Sequence, residues 1–362
     1  MTLRPEPSYR HGTPSRTGLL LVNLGSPDAP TAGATRRYLA EFLSDPRVVE
    51  IPRLVWWPIL HGIILRVRPS RSAAKYASIW MPEGSPLTVW TSRLAQGLRA
   101  SFERAGTDVR VHQAMRYGSP SIREGLDALR ADGATRILVL PLYPQYASAT
   151  TASIWDEVGR WTARARHLPE LRFVNRYGDE AAYIGALAAS VRAHWERAGR
   201  SNMLVMTFHG LPERSLMLGD PYHCECHKTA RLLAQALGLG QQEYRVTFQS
   251  RFGRAQWLRP YTEPTLQELA AGGLERVDVI CPGFPVDCLE TLEEIAMEAR
   301  DAFLQAGGRE FHYIPCLNAG PDAVSALEAV ARRHLLGWPL MPPEPAEQAL
   351  QRERALREGA SD

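Results

Sequence analysis

Lysine is nearly absent from this chain of 362 residues: Lys75 and Lys228 are its only two, and arginine supplies the other basic charges. Lys+Arg total 42 against 39 Asp+Glu, a formal charge of +3. No basic block and no RNA-binding signature accompanies that balance, so nucleic acid is not an expected partner. Cysteine is also scarce, with five residues, an odd number in a long chain. A disulfide scaffold of the secreted kind is thereby excluded, and a reducing cytoplasm fits better. The polar stretch 1–16 lacks the apolar core of a secretory signal. Long hydrophobic runs are missing too. The longest, Leu54 to Leu65, has twelve residues interrupted by Pro58 and His61, too short to span a bilayer. Finally, there is no Walker A loop, G-x-G-x-x-G fingerprint, H-E-x-x-H zinc motif or G-x-S-x-G elbow, so nucleotide and hydrolase readings lose their usual support.

What is present is alternation. Short, continuously apolar runs occur at 19–24, 109–113, 137–142, 171–174, 204–208, 244–248, 277–281 and 311–314. Such runs are the pattern of parallel strands buried on both faces. Helical patterns lie between them at 32–42, 87–105, 121–131, 151–166, 180–198, 221–237, 262–271, 289–306 and 322–334. Strand–helix alternation predicts an α/β, doubly wound fold. The chain also looks duplicated: Asn23-Leu24-Gly25-Ser26-Pro27 closes the first strand as Phe208-His209-Gly210-Leu211-Pro212 closes the fifth. Leu140–Pro144 is likewise similar to Ile280–Pro285. Two similar domains follow, 17–165 and 166–320, with a helix at 321–338 packing back across both. The segments 1–16 and 339–362 read as peripheral tails.

Ligands of such sheets bind beyond the carboxyl ends of the strands, so residues just after each apolar run matter most. His209 stands there. Neutral imidazole suits proton acceptance near pH 7, and a hydrogen-bonded turn histidine is the plain alternative. Glu290, Glu294 and Glu298 recur at i, i+4, i+8 on one helical pattern. Asp287 as N-cap with Glu290 as its capping-box partner would explain the first glutamate. The other two read either as a solvated face or as a track for cations and protons. His223-Cys224-Glu225-Cys226-His227 looks like a metal site, but its C-x-C spacing has no second pair at finger distance. Aromatics cluster after strand ends, among them Trp56, Trp57, Tyr117, Tyr143, Tyr146, Trp257 and Tyr261. Core packing accounts for any one of them; together they suit a large, flat, apolar ligand.

Eight segments, in order from Thr17 to His334, resemble the ferrochelatase family. They are Leu20–Pro27 (LLVNLGSP), Met115–Gly118 (MRYG), Leu142–Thr151 (LYPQYASATT), Thr207–Glu213 (TFHGLPE), Gly219–Tyr222 (GDPY), Thr247–Ser250 (TFQS), Trp257–Thr262 (WLRPYT) and Pro282–Ile295 (PGFPVDCLETLEEI). The resemblance implies two similar domains, each with a four-stranded parallel sheet, around a porphyrin cleft at the strand ends. It implies insertion of Fe2+ into protoporphyrin IX with release of two protons, the last step of haem synthesis. By position, His209 and Glu290 are similar to the family's catalytic and metal-contacting pair, and Asp287, Glu294 and Glu298 to an acidic path. Leu24, Arg116, Tyr117, Tyr143 and Trp257 resemble porphyrin-pocket residues. Arg68 and Ser85 resemble propionate-holding ones.

Three departures carry expectations. Ser148 stands where animal members have a cluster-ligating Cys, and the C-terminal Cys triplet is missing, so no animal-type 2Fe–2S cluster is expected. Iron is then a substrate, and no tightly bound cofactor is required. Cys288 replaces a His found in some members. Asn23-Leu24-Gly25 lacks the Tyr of coproporphyrin-metallating members, which favours protoporphyrin IX. The run 54–65, flanked by Arg53, Arg66 and Arg68, resembles the apolar lip of the cleft. It suggests weak peripheral contact of a cytoplasmic enzyme with the inner membrane face, a buried helix being the alternative. A coproporphyrin ferrochelatase or another tetrapyrrole chelatase is the nearest rival reading, and a non-catalytic porphyrin or haem carrier a more distant one.

Overall fold

Eight short strands, all parallel, divide equally between two sheets in the computed structural model, which describes residues 3–251, 253, 255–341 and 344–361. The first holds β1 (Arg16–Asn23), β2 (Val109–Met115), β3 (Ala134–Pro141) and β4 (Glu170–Phe173), ordered β2-β1-β3-β4. The second holds β5 (Leu204–His209), β6 (Tyr244–Gln249), β7 (Arg276–Ile280) and β8 (Glu310–Ile314), ordered β6-β5-β7-β8. Helices cover both faces, which is why Leu19, Leu20, Leu21 and Val22 are all fully buried despite alternating sides of the sheet. All eight expected strands occur, as does the predicted α/β class.

The expected domain boundary needs correction. β4 pairs with β3, so the first half extends through β4 and does not end at 165. The helix Pro321–His334 touches the helix Pro86–Arg104 and the helix Ala181–Ala198 that follows β4. Val324 packs against Gly97, and Glu328 accepts from Ser101, both on the helix Pro86–Arg104. The stretch after it is less peripheral than expected. The carbonyls of Pro339 and Leu340 accept from Thr17 and Asp108, stitching the chain to the first sheet. Beyond it the exposed helix Pro345–Arg357 lies against Gly12.

Two long helices are locally unwound into wider π-turns. Residues 53–79 run helically through a π-turn at Leu60–Ile64, just after Pro58 removes a ladder donor. This segment is neither free nor a buried helix. Trp56, Leu60 and Leu65 are buried, whereas Leu54, Trp57, Ile63 and Val67 face outward. The helix expected over 289–306 is broken into Leu289–Leu292, a π-turn at Glu294–Ala299, and Arg300–Gln305. No helix among the described residues is long and apolar enough to cross a membrane.

Candidate active site

His209 is the last residue of β5, in register with Gln249 of β6. The next residue, Gly210, sits at close quarters. A Cβ on Gly210 would lie 2.7 Å from the Gln249 carbonyl oxygen and 3.2 Å from the Trp257 ring. That close turn brings the His209 Nδ1 to 2.6 Å from the Gly210 carbonyl oxygen. A carbonyl only accepts, so Nδ1 carries the hydrogen, and in the neutral ring the lone pair is on Nε2. The ring is half-buried.

The neighbouring strand end brings carboxylates to it. Gln249 donates through Nε2 to the Glu290 carbonyl at 2.7 Å while its Oε1 accepts from the Thr207 hydroxyl at 3.0 Å. Ser250 adopts a left-handed backbone, φ 65°, and directs both its N–H and its hydroxyl at Glu294, each at 2.6 Å. Burial raises the Glu294 carboxyl; the Ser250 bonds and the His209 ring oppose that, Glu290 repulsion adds to it, and the net shift is upward. His209 at the end of β5 and Glu290 and Glu294 on the helical segment after β7 thus interact electrostatically, with Gln249 and Ser250 at the end of β6 bonding that segment.

Two expectations about the acidic segment are corrected. The helix N-cap is Cys288, with Thr291 completing the box, so Glu290 has no capping duty; its half-exposed carboxylate is hydrogen-bonded with the Cys288 thiol. Asp287 is not available as a path residue: it is buried, and Thr291, Tyr313, Cys316 and Asn318 all donate to it. Its role there is to fasten the loop. The stripe itself changes course at the π-turn. The Glu298 N–H reaches the Glu293 carbonyl, five residues back, at 2.9 Å. Glu298 is thereby paired with Glu293, a residue the i, i+4, i+8 reading passed over, and both hold Lys75.

The first half supplies the opposite wall. Tyr38, Tyr76 and Tyr143 are phenols pushed well up, chiefly by burial and in part by the Glu290 charge. Arg68, also buried enough to lower its pKa, is drawn by Tyr76, Glu290 and Tyr38, so it belongs to the same cleft. The Tyr143 hydroxyl and the Trp257 Nε1 are buried without a hydrogen-bond partner among the described residues. Leu24 is half-buried beyond β1, and Ser85 is buried at the start of the helix Pro86–Arg104.

Arg116 and Tyr117 lie elsewhere than expected. Arg116 Nη2 is 2.5 Å from Asp45 and its Nε donates to Ser153, while the Tyr117 hydroxyl donates to the same Asp45 oxygen at 2.8 Å. With Tyr117 fully buried, this network braces the wall from behind. Burial would raise the Asp45 carboxyl, but bonds from Ser153, the Arg47 N–H and Tyr117, with the Arg116 charge, hold it below the usual carboxylate range.

Sequence reasoning missed Tyr38, Tyr76, Gln249, Ser250 and Glu293. Gln249 and Ser250 lie in the quoted segment TFQS, whose position after a strand was the available signal. Tyr38 and Tyr76 sit in ordinary helical patterns and carried none. The His223–His227 segment gathers no third ligand: Cys224 is exposed, Cys226 buried, and the two histidine rings pack on each other and on Phe248. Among the described residues no group of three or more His, Cys, Asp or Glu side chains is placed to hold a metal ion.

Comparison with known proteins is consistent with this geometry. The solved structure of SirB from Bacillus subtilis with Fe3+ superposes with a TM-score of 0.54 at 15% identity, covering 89% of this chain and 96% of that one. At that identity the likeness shows the fold. A curated ferrochelatase of a Polaromonas species is 64% identical, covering 99% of this chain and 100% of its own length. The ferrochelatase of Methylibium petroleiphilum is 63% identical over 98% of each. The family model for ferrochelatase matches residues 16–335, and the chain therefore belongs to the ferrochelatase family.

Proposed function

We propose that this family member inserts Fe2+ into protoporphyrin IX with His209 and Glu290 as the catalytic pair. The overall change exchanges two pyrrole N–H protons for one ferrous ion. His209 Nε2 takes one pyrrole proton, while Glu290 meets the cation, takes the second pyrrole proton and hands it to Glu294 and on to solvent. The observation that carries this division of labour is the Nδ1–H bond to the Gly210 carbonyl, which leaves Nε2 as an acceptor beside two carboxylates. The tyrosines at 38, 76 and 143 and Trp257 form the flat wall, and Arg68 and Ser85 hold the propionates. Leu24 closes the floor, with Arg116 and Tyr117 as its brace. Iron is substrate, and this reading uses no resident cofactor and no 2Fe–2S cluster.

The cysteines are free thiols, which supports a cytoplasmic enzyme. The outward Leu54, Val55, Trp57 and Ile63, with Arg53 and Arg66 alongside, support weak peripheral contact with a membrane surface, from which a poorly soluble porphyrin arrives. Flotation with anionic liposomes is expected to carry a minor fraction of the protein upward. No flotation, with or without porphyrin, ends that part of the reading.

The reaction is tested by anaerobic insertion of Fe2+ into protoporphyrin IX, followed by the Soret band, for the wild type, His209→Ala and Glu290→Gln. Turnover lost in both variants with porphyrin still bound supports the pair. Porphyrin binding without turnover in the wild type would point to a carrier. Faster turnover with coproporphyrin III would reassign the substrate.

A further inference from the structure

One of the two lysines, Lys75, joins the halves of the molecule across the cleft mouth. It lies on the helix Leu65–Ile79, and its Nζ is 2.8 Å from Glu298 Oε1 and 2.9 Å from Glu293 Oε1. The Glu293 side chain is only 10% exposed, whereas Lys75 and Glu298 are 43% and 52% exposed, so the Glu293 bond is the shielded one of the two. The joint grip depends on the π-turn. In an α-helix, residues five apart point about 140° away from each other. The bond from the Glu298 N–H to the Glu293 carbonyl removes that offset and sets both carboxylates on one ammonium.

The clamped helix also carries the cleft residues Arg68 and Tyr76, and it follows the segment that exposes Leu54, Trp57 and Ile63. Tyr76 packs edge-on against Tyr38 at 6.5 Å, on the wall that feels Glu290. The helix also packs on the helix Ala32–Leu43 of its own half, so freeing Lys75 removes a tie to the second half and leaves that packing in place.

We propose that Lys75 is a positioning residue: it clamps the mouth helix of the first half onto the Glu293–Glu298 π-turn of the second and so retains porphyrin in the cleft. The proposal rests on the reading of this cleft as the porphyrin site. Its test is the rate at which bound protoporphyrin leaves the full-length protein, followed by fluorescence at low salt and at about 0.5 M salt. Lys75→Ala is expected to release porphyrin about fivefold faster at low salt, with Lys75→Arg within about twofold of wild type. Salt should speed release more from the wild type than from Lys75→Ala, in which only the propionate contacts are left to screen. Lys75→Ala combined with Glu293→Gln should be no faster than Lys75→Ala alone.

Equal release rates for wild type and Lys75→Ala, or equal salt effects on both, overturn the clamp. A wild type that binds no porphyrin overturns the functional reading instead. The clamp is then judged by hydrogen exchange over 65–79 in the ligand-free protein: faster in Lys75→Ala sustains it, unchanged removes it.

Discussion

The two halves share a plan down to small details and differ in what stands at the strand ends. In both, the central strand ends in a tight turn closed against the strand beside it. In the first half Arg116 N–H donates to the Asn23 carbonyl and Tyr117 N–H to that of Leu24; in the second, Gly210 N–H donates to the Gln249 carbonyl and Leu258 N–H to that of Leu211. In both, the chain leaving the next strand returns through a cis proline, Pro120 or Pro260, whose carbonyl accepts from that strand. Both follow their third strand with a π-turn, Ser148–Ala152 or Glu294–Ala299.

Yet Asn23 is buried, giving its side chain to Thr91 and to the Leu24 N–H, where the equivalent His209 stands half-open. The first π-turn holds no charged residue, and the second holds Glu294 and Glu298. One scaffold thus carries a buried, hydrogen-bonded amide on one side and a half-open imidazole near carboxylates on the other. The difference lies in a few side chains at equivalent backbone positions.

The largest test makes the second half like the first. His209→Asn should lower the turnover rate about 10³-fold, about 4 kcal/mol in barrier, with protoporphyrin affinity little changed. The reciprocal Asn23→His should gain no activity and should unfold more easily, since it strips two hydrogen bonds from a buried site. Next, Asp45→Asn leaves Arg116 buried without its counter-charge and should cost about 3 kcal/mol in urea unfolding at pH 7. Because the Asp45 carboxyl is held below its ordinary value, its contribution is present above about pH 4 and fades as pH falls through the lower folded value. Acid unfolding of the variant should lack that component.

A smaller effect separates the two turns. A Cβ at Gly25 would lie 1.8 Å from the Tyr117 carbonyl oxygen at a φ of 105°, against 2.7 Å at Gly210. Gly25→Ala should therefore cost about 3 kcal/mol and Gly210→Ala about 1 kcal/mol, read as shifts in denaturant midpoint. The smallest expected change is in stability at Glu294. Its carboxyl is raised in the fold, so the native state holds the proton more tightly than the unfolded chain. Stability then falls as pH climbs from the ordinary carboxylate value through the raised one. Glu294→Gln should flatten that slope and leave stability at pH 7 equal or slightly higher, while KM for Fe2+ rises about fivefold.

The alternation of apolar runs with helical patterns specified eight strands and their parallel pairing, because strands buried on both faces admit no polar alternation. His209 was legible for a local reason: it directly follows an apolar run in a fold that binds ligands at strand ends. Glu290 was legible by resemblance, but its freedom from capping was not, since Thr291 and Cys288 take that role only once the loop is fastened through Asp287. The partnership of Glu293, Glu298 and Lys75 was invisible. An α-helical wheel separates the two glutamates, and the lysine lies more than 200 residues earlier in the chain. Arg116 and Tyr117 were legible as important and misplaced by one layer, because Asp45, their buried partner, carries no sequence signal. The sequence by itself determined the strands, the duplication and the strand-end histidine, which depend on local period and position. Tertiary structure alone decided which carboxylates meet which cations, because those pairs join segments far apart in the chain through a π-turn and a cleft that no local pattern encodes.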